Sequence, residues 1–306
     1  MNTKKRNEYE TTMNLNGIDT ISGYGSGLIT YAAMQDGVKT NISRCNYQAD
    51  DNRTYLVINP NKSATGERLI MSYSEFIERM TWIFDHMDAK FEDFDIIRAD
   101  FCLNSTDRES YGEYQKLHRL LLSCLAKAYS FQNVYVSCDL WDFGRLSLAI
   151  KKDDCEAENY NKYRQSDGTD ESANRLEIRS KRMSGTSLQY QFLDRWFKRL
   201  DAALEEFGSV QQEYNDHLAK LYKDDLEKPA EERNYLSLDA FLLQYKECIY
   251  KRAQLIDLLG RFDEVKNPRK KADRFLAKHQ IEFFSQADLD YVVRILKQKI
   301  REYFIS

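Results

Sequence analysis

The sequence predicts an α+β protein: an N-terminal mixed, largely antiparallel sheet with flanking helices, then an all-helical C-terminal domain. Three observations carry this. Between Gly17 and Lys181, short runs alternate apolar and polar residues with the period of two that a half-buried strand shows. Two amphipathic runs inside that region are each preceded by capping-box spacing. From Leu188 to Ser306 the pattern is helical almost throughout, broken only at Gly208, at Lys228-Pro229 and at Lys266–Lys271. The chain has 306 residues, enough for about two units at roughly 150 residues each. The expected organisation is a flexible arm over 1–13, an α+β domain over 14–185 and a helical domain over 186–306.

Taken in order, residues 1–13 are polar, charged and without periodicity, which predicts the arm. Gly17–Asn61 is rich in Gly, Thr, Ile, Val and Tyr; its runs Gly27–Ala33, Val38–Ser43 and Thr54–Asn59 predict a small β meander closed by the turn Asn59-Pro60-Asn61-Lys62. Ser72 and Glu75 open a helix with Phe76, Met80, Ile83 and Met87 on one face. Phe94–Leu103 alternates as a strand. Thr106 and Glu109 open a second helix with Tyr114, Leu117, Leu121 and Leu125 inward. Val134–Leu140, Arg145–Ile150, Cys155–Lys162 and Asn174–Lys181 read as further strands, with a polar loop over Gln165–Ala173.

Composition narrows the function classes. Lys and Arg number 45 against 49 Asp and Glu, a net −4, so a general polyanion-binding coat is excluded and nucleic-acid contact would need local patches. No apolar run approaches the about 18–20 residues of a membrane helix, and no apolar segment follows the basic start Met1–Arg6, so neither a membrane span nor a standard signal peptide is expected. The six cysteines have no C-x-x-C spacing and four lie in regular elements, where a thiol acts as a small apolar group. A cytoplasmic, thiol-reduced protein is the expectation. The four histidines, His86, His118, His217 and His279, are isolated on helical stretches and read as surface or hydrogen-bonded helix residues. No His-hydrophobic-His pair is present to bind metal.

Strand parity sorts the polar residues. Arg98 and Asp100 lie opposite Ile97, Ala99, Phe101 and Leu103 on their strand. Glu156, Glu158, Tyr160 and Lys162 share one face, and so do Arg175, Glu177, Arg179 and Lys181. Alternating Arg and Glu is also the ordinary pattern of cross-strand ion pairs on a solvated sheet face. The tyrosine changes the reading. A phenol beside carboxylates and a lysine is the equipment of metal-assisted phosphodiester transesterification, with Tyr160 as nucleophile. Asp100, Glu177 and Glu158 would be hard oxygen ligands for Mg²⁺ or Mn²⁺, and Lys162, Arg98 and Arg179 cations at the scissile phosphate.

At these residues the chain resembles the Rep_trans family of rolling-circle replication initiators and the related MobT-type relaxases. Val57–Lys62 is similar to the family's F-N-P-N-K strand end, Arg98-Ala-Asp100 to its R-x-D strand, and Tyr160-Asn-Lys162 to its Y-N-K with the nicking tyrosine. Arg175–Arg179 is similar to the strand that follows, whose acid belongs with the metal-binding carboxylates. Where the family carries a second acid four places after the R-x-D aspartate, this chain has Asn104. The likeness spans about residues 15–185. It implies sequence-specific DNA nicking and closing through a 5′-phosphotyrosyl intermediate, with divalent metal, dimeric action and a recruited host helicase. A conjugative relaxase with the same site, or a non-catalytic DNA-binding regulator on this fold, are the alternatives.

Two further segments complete the reading. Lys266–Lys278 carries six cations against Asp273 alone; Lys270, Lys271 and Arg274 are the expected duplex-DNA contacts, although solvated helix faces share this pattern. The helix opening at Ser285–Asp288 could complete a helix-turn-helix with it. Ser22–Gly27 has three glycines but no G-K-[ST] ending, and is expected as a flexible turn near the DNA.

Overall fold

Among the described residues, the N-terminal half is built on a seven-stranded sheet in which every pairing is antiparallel, flanked by helices and followed by a helical region. The computed structural model describes residues 1–26, 46–48, 53–61, 70–105, 110–129, 147–162 and 174–305. Its strands are β1 (Met13–Ser26), β2 (Asn46–Gln48), β3 (Arg53–Ile58), β4 (Phe94–Ser105), β5 (Ser147–Lys151), β6 (Cys155–Tyr160) and β7 (Asn174–Lys181). They lie in the order β2-β3-β1-β4-β7-β6-β5. The expected runs at Gly27–Ala33, Val38–Ser43 and Val134–Leu140 and the box at Thr106–Glu109 lie outside the described residues.

Nine α-helices are described: α1 (Thr3–Thr12), α2 (Tyr73–Asp85), α3 (Ser110–Ala128), α4 (Phe197–Glu205), α5 (Phe207–Leu226), α6 (Leu238–Gln244), α7 (Arg252–Leu259), α8 (Pro268–Lys278) and α9 (Gln286–Ile305). A π-helical turn, Tyr190–Trp196, leads into α4. The Ser72 cap forms as expected, its hydroxyl accepting from the Glu75 amide, while the Glu75 carboxylate reaches back to the Met71 amide. Phe76, Met80, Ile83 and Met87 are buried below α2, as the periodicity requires.

In α3 the apolar stripe is wider than expected. Leu120, Leu122 and Cys124 are buried beside Leu117, Leu121 and Leu125, because α3 is packed both by β5, β6 and β7 and by α4 and α5. A helix covered on two sides has no solvated face to keep polar. One apolar core runs through the described residues of both halves, from Tyr9 and Ile18 through Phe101, Leu121 and Phe192 to Leu258 and Tyr303.

Two expectations change. The stretch expected as an arm is helix α1, capped by the Asn2 side chain. Its side chains reach far along the chain: Lys5 to Glu282 at 2.8 Å, Arg6 to Asp288 at 2.9 Å, and a fully buried Tyr9 to His118. The helix lacks an apolar stripe, so periodicity could not reveal it. Polar partners about 280 residues away hold it instead. Likewise Ser22–Ser26 is the end of β1, not a turn: a Cβ at Gly23 would collide with the Asp95 backbone carbonyl, so its glycine serves close strand approach. Gly17 works similarly, in the left-handed region at φ +61 beside a register shift in β1, with the Tyr303 ring of α9 where a side chain would stand.

Helix α9, which opens after Ser285, docks on the sheet and on α2. Leu289, Val292, Leu296, Ile300 and Tyr303 are buried against β1, α2 and the π-helical turn, so its apolar stripe is spent on the core. Among the described residues no helix is long and apolar enough to cross a membrane. The described cysteines, Cys102, Cys124, Cys155 and Cys248, are all free and buried.

Candidate functional site

The predicted polar residues meet on one face of β4, β7 and β6, and the register decides which of them touch. Reading across β4, β7 and β6, one row is Asp100, Arg179 and Glu156. The next is Cys102, Glu177 and Glu158, and the third Asn104, Arg175 and Tyr160. Arg98 and Lys181 pair in the row before them. The opposite face of the same strands presents Ala99, Phe101, Ile178 and Ala157 to the core.

Arg179 is the centre of this face. Its Nε donates to Glu177 Oε1 at 2.5 Å, one terminal nitrogen to Glu156, and the other to Glu158 Oε2 at 3.0 Å. Asp100 Oδ2 lies 3.5 Å from Nε. Four carboxylates therefore converge on one guanidinium, whose planar fork of donors suits it to several acceptors at once. Arg98 grips Asp100 with two hydrogen bonds, at 2.8 and 2.6 Å. Lys181 lies 2.5 Å and Lys151 3.5 Å from Glu156. The four acids are matched by Arg98, Lys151, Arg179 and Lys181, so the cluster's formal charge is balanced from within.

Burial makes this arrangement consequential. Asp100 is 2 % exposed and Glu177 4 %. Burial raises the Asp100 pKa to about 6, against the pull of Arg98. Glu158 is also raised, by burial and in spite of Arg179. Glu177 stays below the usual carboxylate range: burial is the largest influence and acts upward, but Arg179, Arg175 and the Tyr160 hydroxyl outweigh it.

Tyr160 ends β6 and is 5 % exposed. Its hydroxyl donates to Glu177 Oε2 at 2.8 Å, on the diagonal between adjacent rows. Burial, then the neighbouring Glu177 charge, raises the phenol well above its ordinary pKa. Lys162 lies just past the strand, its Nζ 5.8 Å from the centre of the Tyr160 ring. Every residue expected at the tyrosine site therefore lies on or beside this face.

Two participants, Asp19 and His118, were not read from the sequence. Asn104, at the place where a second acid was looked for, accepts from Arg175 Nε at 2.8 Å, and Asp19 of β1 supplies a carboxylate 3.3 Å from the same guanidinium. Asp19 sits at the register shift between Ile18 and Thr20, so parity alone could not assign its side. The second is His118 of α3, fully buried on the other side of the sheet. Its Nδ1 lies 3.1 Å from the Asn159 amide nitrogen and 3.4 Å from that of Asn174; Nε2 lies 2.9 Å from the Tyr9 hydroxyl. With Nδ1 accepting from the amides, Nε2 carries the proton and donates to Tyr9. A signal existed: Asn159 occupies a core-facing position between Ala157 and the strand end, where an amide demands a buried partner.

The donor chemistry expected for Mg²⁺ or Mn²⁺ is present, since Asp100, Glu158 and Glu177 are hard oxygen groups. The arrangement does not fit the ion. The point on which these carboxylates converge is held by Arg179, and their oxygens are directed to Arg179, Arg98 and Tyr160. Among the described residues no group of three or more His, Cys, Asp and Glu side chains is placed to hold a metal.

The basic stretch forms a second, separate surface. Lys266, Lys270 and Arg274, four residues apart, line a concavity of about 340 Å³ with Tyr222 and the α8 cap Asn267. Lys266, Lys270 and Arg274 are exposed. Lys271 is half-buried and pairs with Asp239 of α6 at 2.5 Å.

Compared with known proteins, the chain matches no family profile, no curated protein and no solved structure.

Proposed function

We propose that this protein nicks and rejoins DNA through Tyr160, as an initiator of rolling-circle replication. One observation carries the reading: a tyrosine hydroxyl hydrogen-bonded to a carboxylate that is itself oriented by an arginine, on a sheet face rich in cations. This is the nucleophile, base and orienting group of covalent catalysis. The order of Val57–Lys62, Arg98–Asp100, Tyr160–Lys162 and Arg175–Arg179 along the chain supports it through the family resemblance.

The chemistry follows from the local environment. A buried phenol beside a carboxylate does not ionise in advance, so its proton must leave as the new bond forms. Tyr160 Oη attacks the scissile phosphorus, its proton passes to Glu177, and the bond from phosphorus to the 3′-oxygen breaks. The departing oxygen takes the proton back and becomes a free 3′-hydroxyl, leaving a 5′-phosphotyrosyl strand. Reversal of the same steps closes the nick. Lys162, beside the Tyr160 ring, is the cation that would offset charge on the phosphoryl oxygens, whereas Arg98 is committed to Asp100 and stands three rows along the sheet. Lys270 and Arg274, with Lys266, would hold the duplex by its phosphates.

The test is to trap the protein on a single-stranded oligonucleotide carrying its nick site and to map the modified residue. The adduct should sit on Tyr160 and vanish in Tyr160→Phe while DNA binding persists. An adduct on Tyr160→Phe would reject the assignment. One observation favours a second reading, a DNA-binding regulator without cleavage: the acids beside Tyr160 are all engaged in ion pairs. A chain that binds DNA and forms no adduct on any nick-bearing substrate belongs to that reading.

A further inference from the structure

Resting on the tyrosine-site reading, we propose that Arg179 itself is the cation of this site: its guanidinium takes the place of a divalent ion and positions Glu177 against Tyr160. The argument begins with charge. Asp100, Glu156, Glu158 and Glu177 are crowded into a largely buried volume, an arrangement that requires compensating positive charge from paired side chains or from a metal ion. Here the register places Arg179 directly between Asp100 on β4 and Glu156 on β6, with Glu177 and Glu158 in the adjoining row. All four acids lie within ion-pair distance of it. Arg98, Lys181 and Lys151 supply the remaining positive charge. An added divalent ion would find no uncommitted carboxylate among these four and would leave a buried excess of two positive charges.

Geometry gives the guanidinium a specific task. Nε of Arg179 holds one oxygen of Glu177 at 2.5 Å, which turns the other oxygen to the Tyr160 hydroxyl at 2.8 Å. The planar fork fixes the carboxylate's orientation as well as its charge, which a spherical ion bound to the same oxygens would do less strictly. Arg179 is therefore a positioning residue acting through Glu177.

Two measurements test this. The first is Mn²⁺ binding to the full chain without DNA, followed by the electron paramagnetic resonance of free Mn²⁺, for the unaltered protein, Glu158→Gln and Asp100→Asn. The expected result is that neither substitution changes the Mn²⁺ titration, because no ion uses these carboxylates. One bound Mn²⁺ whose affinity falls about tenfold or more in Glu158→Gln would overturn the proposal. Glu158 is the more exposed of the two acids, and its variant keeps the measurement decisive if Asp100→Asn does not fold.

The second is adduct formation on the oligonucleotide in excess chelator, comparing Arg179→Lys and Arg179→Gln with the unaltered chain. The unaltered chain should form adduct in chelator, and Arg179→Lys should retain more adduct than Arg179→Gln at matched folded fractions. Adduct that appears only when a divalent metal is restored overturns the proposal. If no condition gives adduct, the nicking reading falls, and an unchanged Mn²⁺ titration still assigns the cation position to Arg179.

Discussion

Strands β6 and β7 carry two buried polar clusters on their two faces, and these solve the same problem in opposite ways. On the helix-covered face, His118, Tyr9, Asn159 and Asn174 form a network with no formal charge. Burial drives the His118 pKa down to about 4, against the hydrogen bond with Asn174, so the imidazole is neutral at physiological pH. On the other face, four acids and four cations balance one another around Arg179. A neutral network needs only donors matched to acceptors, and it locks α1, α3, β6 and β7 together. An ionic cluster must also balance charge, and in doing so holds the Glu177 carboxylate beside the Tyr160 hydroxyl. Adjacent residues Asn159 and Tyr160 belong to the two different clusters, so the strand that carries Tyr160 is clamped from behind by the uncharged one.

The sharpest way to break the comparison is to delete each hub. Arg179→Ala leaves three buried acids and the half-buried Glu158 without their shared partner and should cost about 3–5 kcal/mol in urea unfolding. Arg179→Lys should recover part of that loss. His118→Leu removes no charge and should cost about 1–3 kcal/mol, the range for leaving neutral buried groups unpaired. A larger loss in His118→Leu than in Arg179→Ala would invert the assignment of which cluster carries the electrostatic stress.

Acid should separate the two faces further. The folded-state pKa of His118 is depressed from 6.5 to about 4, so its contribution is present above pH 6.5 and lost as pH falls towards 4. The full loss is roughly 3 kcal/mol at about 1.4 kcal/mol per unit. Asp100 is raised from 3.8 to about 6, so its contribution is present below pH 3.8 and lost as pH rises through 6. Subtracting the stability–pH curves of His118→Gln and Asp100→Asn from that of the unaltered chain should give differences of opposite slope between pH 4 and 6. Slopes of the same sign would contradict the two environments described.

The smallest expected effect concerns the exposed cations of α8, where solvent screens each charge. If Lys270 and Arg274 contact duplex phosphates, changing both to Ala should flatten the log–log salt dependence of DNA binding by about two. Lys271→Ala should leave that slope unchanged and lower stability slightly, since Lys271 is paired with Asp239. Equal slope changes in all three would place Lys271 with Lys270 and Arg274 among the proposed phosphate contacts.

Much of this face could be read in advance because strand parity is local. The alternation in Phe94–Leu103, Cys155–Lys162 and Asn174–Lys181 was sufficient to place Arg98, Asp100, Glu156, Glu158, Tyr160, Glu177 and Arg179 on one side each of their strands. The apolar faces of α2 and α3 were equally legible, since a period of 3.6 is set by the residues of one segment. Helix α1 was not, because a helix held by ion pairs and one buried tyrosine leaves no stripe.

What the sequence determined alone is therefore the kind of each element and the side on which each polar group stands. Which groups meet was decided by the tertiary structure. Register joins β4 to β7 across some 75 residues and β7 to β6 across about 20, and only that pairing puts Arg179 between Asp100 and Glu156. A set of acids that reads as a metal site strand by strand becomes an arginine-centred cluster once the strands are aligned. The physical reason is that parity is a property of one backbone, whereas electrostatic partnership is a property of three backbones in register.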